Sequence, residues 1–489
     1  MSKNAFDSAW NWEHSYAELP ERCYSLVKPT PVWQPGLYVF NDLLAGELNL
    51  EKLSTLDPEL LVEVFAGNRV PGGAKPLAMA YAGHQFGNFV VLGDGRAILL
   101  GEHLDGSGRR HDIQLKGSGL TPYSRRGDGR AALGPMLREF LISEAMAALG
   151  IATTRSLAVV ETGELVMRDG MLPGAVLVRT AVSHLRVGTF ELFAAREDIE
   201  SLKALLDHTI ARHYPELADA QNPALALLRA VQESQAELVA SWMAVGFVHG
   251  VLNTDNVALS GETIDYGPCA FIDRYHPGAV YSSIDRQGRY AYGNQPGITA
   301  WNLARFAESL LPLIDADSKK AVSLAEETLE VFPDAMAAAW LQRMVRKFGI
   351  EKPEPADRTL IEDWLALLDK HRLDFTNAFR ALSGDENSEK SQLKQPDFVA
   401  WHQRLEARLK ASGISPAAAQ ALRETSNPIH IPRNHAVEKA LDTAVAGDPL
   451  PFQRALEVLR RPFDNSISDH TFSATPSEGE QVYTTFCGT

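Results

Sequence analysis

The chain has 489 residues, 45% hydrophobic and 22% charged, which is ample material for a large folded core. A net charge of −15 argues against a broad basic surface for nucleic acid, and no apolar run approaches the roughly 18 residues of a membrane span. Three cysteines (Cys23, Cys269, Cys487) form no disulfide framework and no zinc spacing, and the N-terminus lacks a signal-peptide pattern. A cytoplasmic protein with no nucleic-acid or membrane partner is the expectation.

Residues 1–75 carry one helical-looking piece, at 58–65, and read as an N-terminal extension wrapped on the rest of the chain. From there a β-rich unit is expected over 76–190. Its first strand candidate is 88–92, followed by the turn Gly93-Asp94-Gly95-Arg96 and a strand over 97–102. A second Gly turn at 105–108 leads to a strand over 111–116 that ends on Lys116. A protein kinase opens in this manner, with a Gly-rich loop and a phosphate-binding Lys on its third strand.

The basic loop at 123–130 repeats Gly-Asp-Gly-Arg and feeds a helix over 133–149. Leu133, Leu137, Phe140 and Leu141 share one face of it, and Glu139 sits mid-helix, where a kinase carries the Glu that orients its Lys. Strands are expected at 156–161, 164–167 and 176–180, the last carrying Arg179. A hinge is expected between residues 183 and 193, then helices at 199–213 and 223–245. A helical unit over 191–461 and a mobile tail over 462–489 complete the chain, with a charged linker at 384–395.

The stretch 247–267 carries the sharpest chemistry. It reads as a helix end, His249-Gly250, a polar loop closing on Asn256, a short strand, and Asp265-Tyr266-Gly267. A kinase places H-R-D-x-x-x-x-N and D-F-G in this order, with Asn and the second Asp holding metal. Asn256 and Asp265 thus become candidate ligands of Mg²⁺, which favours hard oxygen donors. The position of the kinase base, however, is Val251, which cannot accept a proton. Asp255 is the nearest spare carboxylate and a candidate general base; the plainer alternative is a loop-stabilising hydrogen bond. Gly93, Gly95 and Arg96 suit phosphates, although such tetrapeptides also make ordinary turns, and Asp128, Gly129, Arg179 and Arg186 carry weaker signals.

The motifs Lys116-Gly117-Ser118-Gly119, Gly127–Arg130, His249–Asn256 and Asp265-Tyr266-Gly267 resemble the selenoprotein O (SelO/YdiU) family. The segments 81–87 and 427–435 fit as well, so the resemblance covers most of the chain. It implies a two-lobed, kinase-like α+β fold and a protein adenylyltransferase. Such enzymes move AMP from ATP, bound flipped relative to kinases, onto Ser, Thr or Tyr hydroxyls with Mg²⁺ or Mn²⁺, and some transfer UMP. By the same resemblance Lys116, Arg179 and Arg186 hold phosphates, and Gly93, Gly95, Arg96, Asp128 and Gly129 complete the nucleotide pocket. Glu139 pairs with Lys116, Asp255 accepts the proton, and Asn256 and Asp265 bind metal. Cys487 stands where animal members carry selenocysteine, and a regulatory disulfide with Cys269 is a hypothesis. Two rivals remain open on the residues alone: a phosphotransferase using Asp255 as base, and a catalytically dead nucleotide-binding scaffold.

Overall fold

The computed structural model describes residues 6–385 and 389–486. It is a mixed α+β protein built on a nine-stranded sheet whose pairings are all antiparallel. Its path runs Tyr24–Leu26, Leu77–Met79, Ala97–Leu104, Arg110–Lys116, Met171–Ala181, Arg155–Met167, Gly36–Phe40. Two short strands, Trp12–Glu13 and Ala131–Ala132, pair at its sides. Strands of the first 40 residues therefore belong to this sheet.

The period-2 alternation of the strands assigns the two faces. Ile113, Leu115, Val176 and Val178 point to one side, into a core closed by the helices Asp42–Glu47 and Pro58–Phe65. Gln114, Lys116, Leu177 and Arg179 occupy the alternate positions, and the register sets Leu177 opposite Lys116 and Arg179 opposite Gln114. That second face is covered by the helix Leu133–Ala148, whose Leu137, Phe140 and Leu141 are fully buried.

Several expectations need correction. Residues 88–92 do not lead into the main sheet. Asn88–Val91 pairs with Ala82–Gln85 in a separate hairpin, because Phe86 and Gly87 both take positive φ (51° and 85°) and close a two-residue turn. The neighbour of Ala97–Leu104 on that side is Leu77–Met79. The strands expected at 156–161 and 164–167 are one strand, Arg155–Met167, with an irregularity in pairing between Glu161 and Leu165. The expected hinge is mostly a helix, Val187–Ala195, entered from Arg186.

The helix Pro223–Val245 ends on Gly246 in the left-handed conformation and delivers the chain to the 247–267 stretch. The described residues between 295 and 459 are mostly helical, as the alternating pattern indicates. Part of the charged linker, 386–388, lies outside the described residues. The described part of the tail packs on the body: Ile467, Phe472 and Thr485 are buried, and Thr485 N–H donates to the Tyr281 carbonyl. No described helix is long and apolar enough to cross a membrane.

One buried ion cluster ties the last helices to the rest. Arg433, fully buried, donates to Asp273 at 2.9 Å and to Asp374 at 2.6 and 3.0 Å. Removing the arginine strands two carboxylates in the interior, so Arg433→Ala should cost about 3–5 kcal/mol and lower the urea midpoint. The exposed pair Arg404–Asp363 is the control; Arg404→Ala should cost less than about 1 kcal/mol. Equal midpoints for the two variants would contradict this.

Candidate active site

Between the second face of the sheet and the helical part lies a cleft of about 1170 Å³. Lys116 and Arg179 reach it from neighbouring strands, side by side because their positions share one face. Glu139 faces them from the buried side of its helix. Lys116 Nζ donates to Glu139 Oε2 at 2.6 Å, and Arg179 Nη1 to Glu139 Oε1 at 3.1 Å. Gln114, two residues before Lys116, accepts from Arg179 Nε and Nη2 at 3.2 and 2.7 Å.

Opposite them stands Asp265. Its Oδ1 accepts from Lys116 at 2.7 Å and Arg179 at 2.6 Å, and its Oδ2 from Arg186 at 2.9 Å. Burial alone would raise this carboxyl, but the charges of Lys116, Arg179 and Arg186 outweigh it and hold it well below the usual carboxylate range. Asp265 sits at φ 63°, a left-handed conformation that Asp tolerates better than most residues. The preceding loop is fixed to it from inside: fully buried His249 donates from Nε2 to the Ile264 carbonyl at 2.9 Å.

Asp255 is the other carboxylate of the cleft. Its Oδ1 is buried without a hydrogen-bond partner, and Oδ2 has only a 3.5 Å contact from Gln85 Nε2. Burial pushes this carboxyl up to about 6, against the opposing charge of Arg186. Arg186 Nη1 also donates to the Asp255 backbone carbonyl at 2.9 Å and lies over the Tyr81 ring. Gly83 leaves Asp255 its space, since a Cβ there would fall 2.3 Å from Asp255 Oδ1. Val251, at the position of a kinase base, is apolar and lines the same cleft.

Gly93, Gly95, Arg96, Asp128, Gly129 and Asn256 line the cleft too, so the expected nucleotide, metal and catalytic residues come together there. Asp128 is held by Arg168 at 2.9 and 3.2 Å, and that contact lowers its carboxyl. Sequence patterns alone assign no role to Asp94, Gln114, Asn253, Tyr81 or Gln85. Gln114 is recoverable from strand alternation, being two before Lys116; Asp94 is hidden inside what reads as a plain turn. Asp94 is buried beneath the cleft, accepting from Met79 N–H at 3.0 Å and Gln114 Nε2 at 3.3 Å, and burial pushes it to about 6. Cys269 lies outside the cleft lining, and burial pushes its thiol up to about 11. Cys487 lies outside the described residues.

No cluster of three or more His, Cys, Asp or Glu side chains suits a metal among the described residues. The donors present are of a different kind. Asn256 spends its Nδ2 on the Val251 carbonyl at 2.8 Å, which leaves its amide oxygen as an acceptor. With the unpartnered Asp255 Oδ1 and the Asp265 carboxylate, this is an all-oxygen set suited to a hard cation that also takes ligand oxygens.

A cleft with converging cations, a buried unpaired carboxylate and hard-oxygen donors is equipped for phosphate chemistry, and the chain is a nucleotidyltransferase. The model of the family described as protein adenylyltransferase SelO matches residues 8–460. The protein nucleotidyltransferase YdiU of Bacillus cytotoxicus is 53% identical over 484 residues, covering 99% of this chain and 98% of that one. Its counterpart in Geobacillus kaustophilus is 54% identical over 484 residues (99% and 100%), and that of Alkaliphilus metalliredigens 52% over 489 residues (100% and 99%). The chain belongs to the SelO family.

The burial of Asp255 has a thermodynamic signature. Its folded carboxyl holds a proton more tightly than the unfolded one, so the stability it contributes declines as pH rises from about 4 to about 6. Asp255→Asn removes that loss and should stabilise the fold at pH 8 by on the order of 2–3 kcal/mol. The advantage should vanish below pH 4. Thermal unfolding at both pH values checks it; an Asn variant no more stable at pH 8 contradicts it.

Proposed function

We propose that this cleft transfers AMP from ATP to Ser, Thr or Tyr hydroxyls of protein substrates with release of pyrophosphate, and accepts UTP as a second donor, transferring UMP. The observation that carries the reading is the convergence of Lys116, Arg179 and Arg186 on Asp265 beside an unpaired Asp255, with Val251 where a kinase would hold its base. Three cations offset much of the charge of a triphosphate, and the unpaired carboxylate stands away from the kinase position. The name adenylyltransferase in the family description and protein nucleotidyltransferase in the relatives support AMP as the group and protein as the acceptor. The sheet with its Glu139 helix on one side of the cleft and helices on the other supports a two-lobed, kinase-like arrangement. Its lobes would span 76–190 and 191–461, with an extension before and a tail after, in a cytoplasmic protein.

In this mechanism Lys116, Arg179 and Arg186 hold phosphate oxygens, and Glu139 keeps Lys116 extended toward them. Gly93, Gly95, Arg96, Asp128 and Gly129 enclose the nucleotide. Asn256 and Asp265 would hold Mg²⁺ or Mn²⁺, which supplies charge neutralisation at the phosphates. The acceptor hydroxyl gives its proton to Asp255 and its oxygen bonds to the α-phosphorus, while the bond to the bridging oxygen breaks and pyrophosphate leaves.

Asp255 must be ionised to act, so kcat should rise with pH through about 6. Asp255→Asn should lose about 10²–10⁴-fold in kcat and the acidic limb with it. Product analysis tests the reaction: with ATP, a divalent metal and a protein acceptor, pyrophosphate should accumulate. Accumulation of ADP instead would replace this reading with phosphotransfer.

A further inference from the structure

We propose that the hairpin Ala82–Gln85/Asn88–Val91, together with Glu191, is a positioning device that aims Asp255, and that Thr254 is its coupling point. The inference rests on the reading of Asp255 as proton acceptor and concerns residues outside the groups that hold the nucleotide or take the proton.

The hairpin stands apart from the main sheet and grips the loop 253–255 residue by residue. His84 N–H donates to Thr254 Oγ1 at 2.7 Å, Gln85 Nε2 reaches Asp255 Oδ2, and Phe86 N–H donates to Asn253 Oδ1 at 3.1 Å. Tyr290 donates its hydroxyl to the same Asn253 oxygen. Gly83 allows the hairpin to close on Asp255.

Glu191 makes the grip a closed ring. It is 4% exposed on the helix Val187–Ala195, and its two oxygens are divided between the partners. Oε2 accepts from Thr254 Oγ1 at 2.6 Å, and Oε1 meets His84 Nδ1 at 2.6 Å. With the His84 N–H bond to Thr254, the Thr254 hydroxyl both accepts from His84 and donates to Glu191, so rotation of Thr254 breaks two bonds at once. The His84 ring is further wedged edge-on against Phe89 and Trp301. The same helix begins at Arg186, which holds the Asp255 carbonyl, and Gly188 lets it lie directly on Ala82. The loop is therefore fixed from one helix at two successive residues. An Asp255 oxygen that has no bond of its own keeps its direction only through its neighbours. A displacement of about 1 Å at a reacting group can cost on the order of 10²-fold.

The experiment compares Thr254→Val, Thr254→Ser, Glu191→Gln and Asp255→Asn in the full chain, reading kcat and KM for ATP. Thr254→Val keeps shape and loses the hydroxyl; it should lower kcat at least tenfold with KM for ATP unchanged within twofold. Glu191→Gln should do the same. Thr254→Ser, which restores the hydroxyl, should recover kcat to within about threefold of the parent. Equal loss of ATP binding and kcat, or parental kcat in both Thr254→Val and Glu191→Gln beside an inactive Asp255→Asn, would overturn the positioning role alone. Parental turnover by Asp255→Asn would remove the base reading and this inference with it.

Discussion

A carboxylate shared by three cations organises this molecule. The charges of Lys116, Arg179 and Arg186 hold the Asp265 carboxyl well below the usual carboxylate range, and its two oxygens draw the three cations together. The four groups arrive from different elements: Lys116 and Arg179 from two strands of the sheet, Arg186 from the start of the helix Val187–Ala195, and Asp265 from the loop after His249. The ion cluster therefore locks the relative placement of all four. Buried charge networks are costly to leave unsatisfied, and here Glu139 and Gln114 take up the further donors of Lys116 and Arg179, while Arg186 Nε is buried without a partner.

Asp255 is the counterweight. It lies within the field of the same arginine, yet its carboxyl is nearly bare of hydrogen bonds and raised by burial. One carboxylate is held low by its cationic neighbours and the other is raised by burial, a contrast that suits the binding and proton-accepting roles proposed for them. The fold gives up stability at the second to keep it available. Its direction is left to the hairpin, the helix and the loop that surround it.

Much of this is legible in the residues. Lys116, Glu139, Asn256 and Asp265 follow a known order and spacing, and the helices at Pro58–Phe65, Ile199–His213 and Pro223–Val245 carry clear periodicity and caps. Strand alternation places Lys116 in the cleft. The misreadings have physical causes. Asn88–Val91 has good strand composition, but its partner is set by the Phe86-Gly87 turn, and a positive φ at Phe86 is not a residue-type preference. The helix Val187–Ala195 is almost wholly apolar, and a stretch buried on every side gives no amphipathic signal. The pairing of Glu191 with Thr254 gives no sequence signal because it joins residues distant in the chain, and Thr254 is not one of the chemistry-bearing positions of the His249–Asn256 motif.

Which phosphorus the acceptor attacks decides the chemistry of the cleft. ATP labelled at the α-phosphate and ATP labelled at the γ-phosphate, each incubated with the protein, Mg²⁺ or Mn²⁺ and a protein acceptor beside an Asp265→Ala control, distinguish the two cases. Label on protein from the α position only, absent in the control, is the predicted result. Label from the γ position would mean that the cleft phosphorylates, and would contradict AMP transfer.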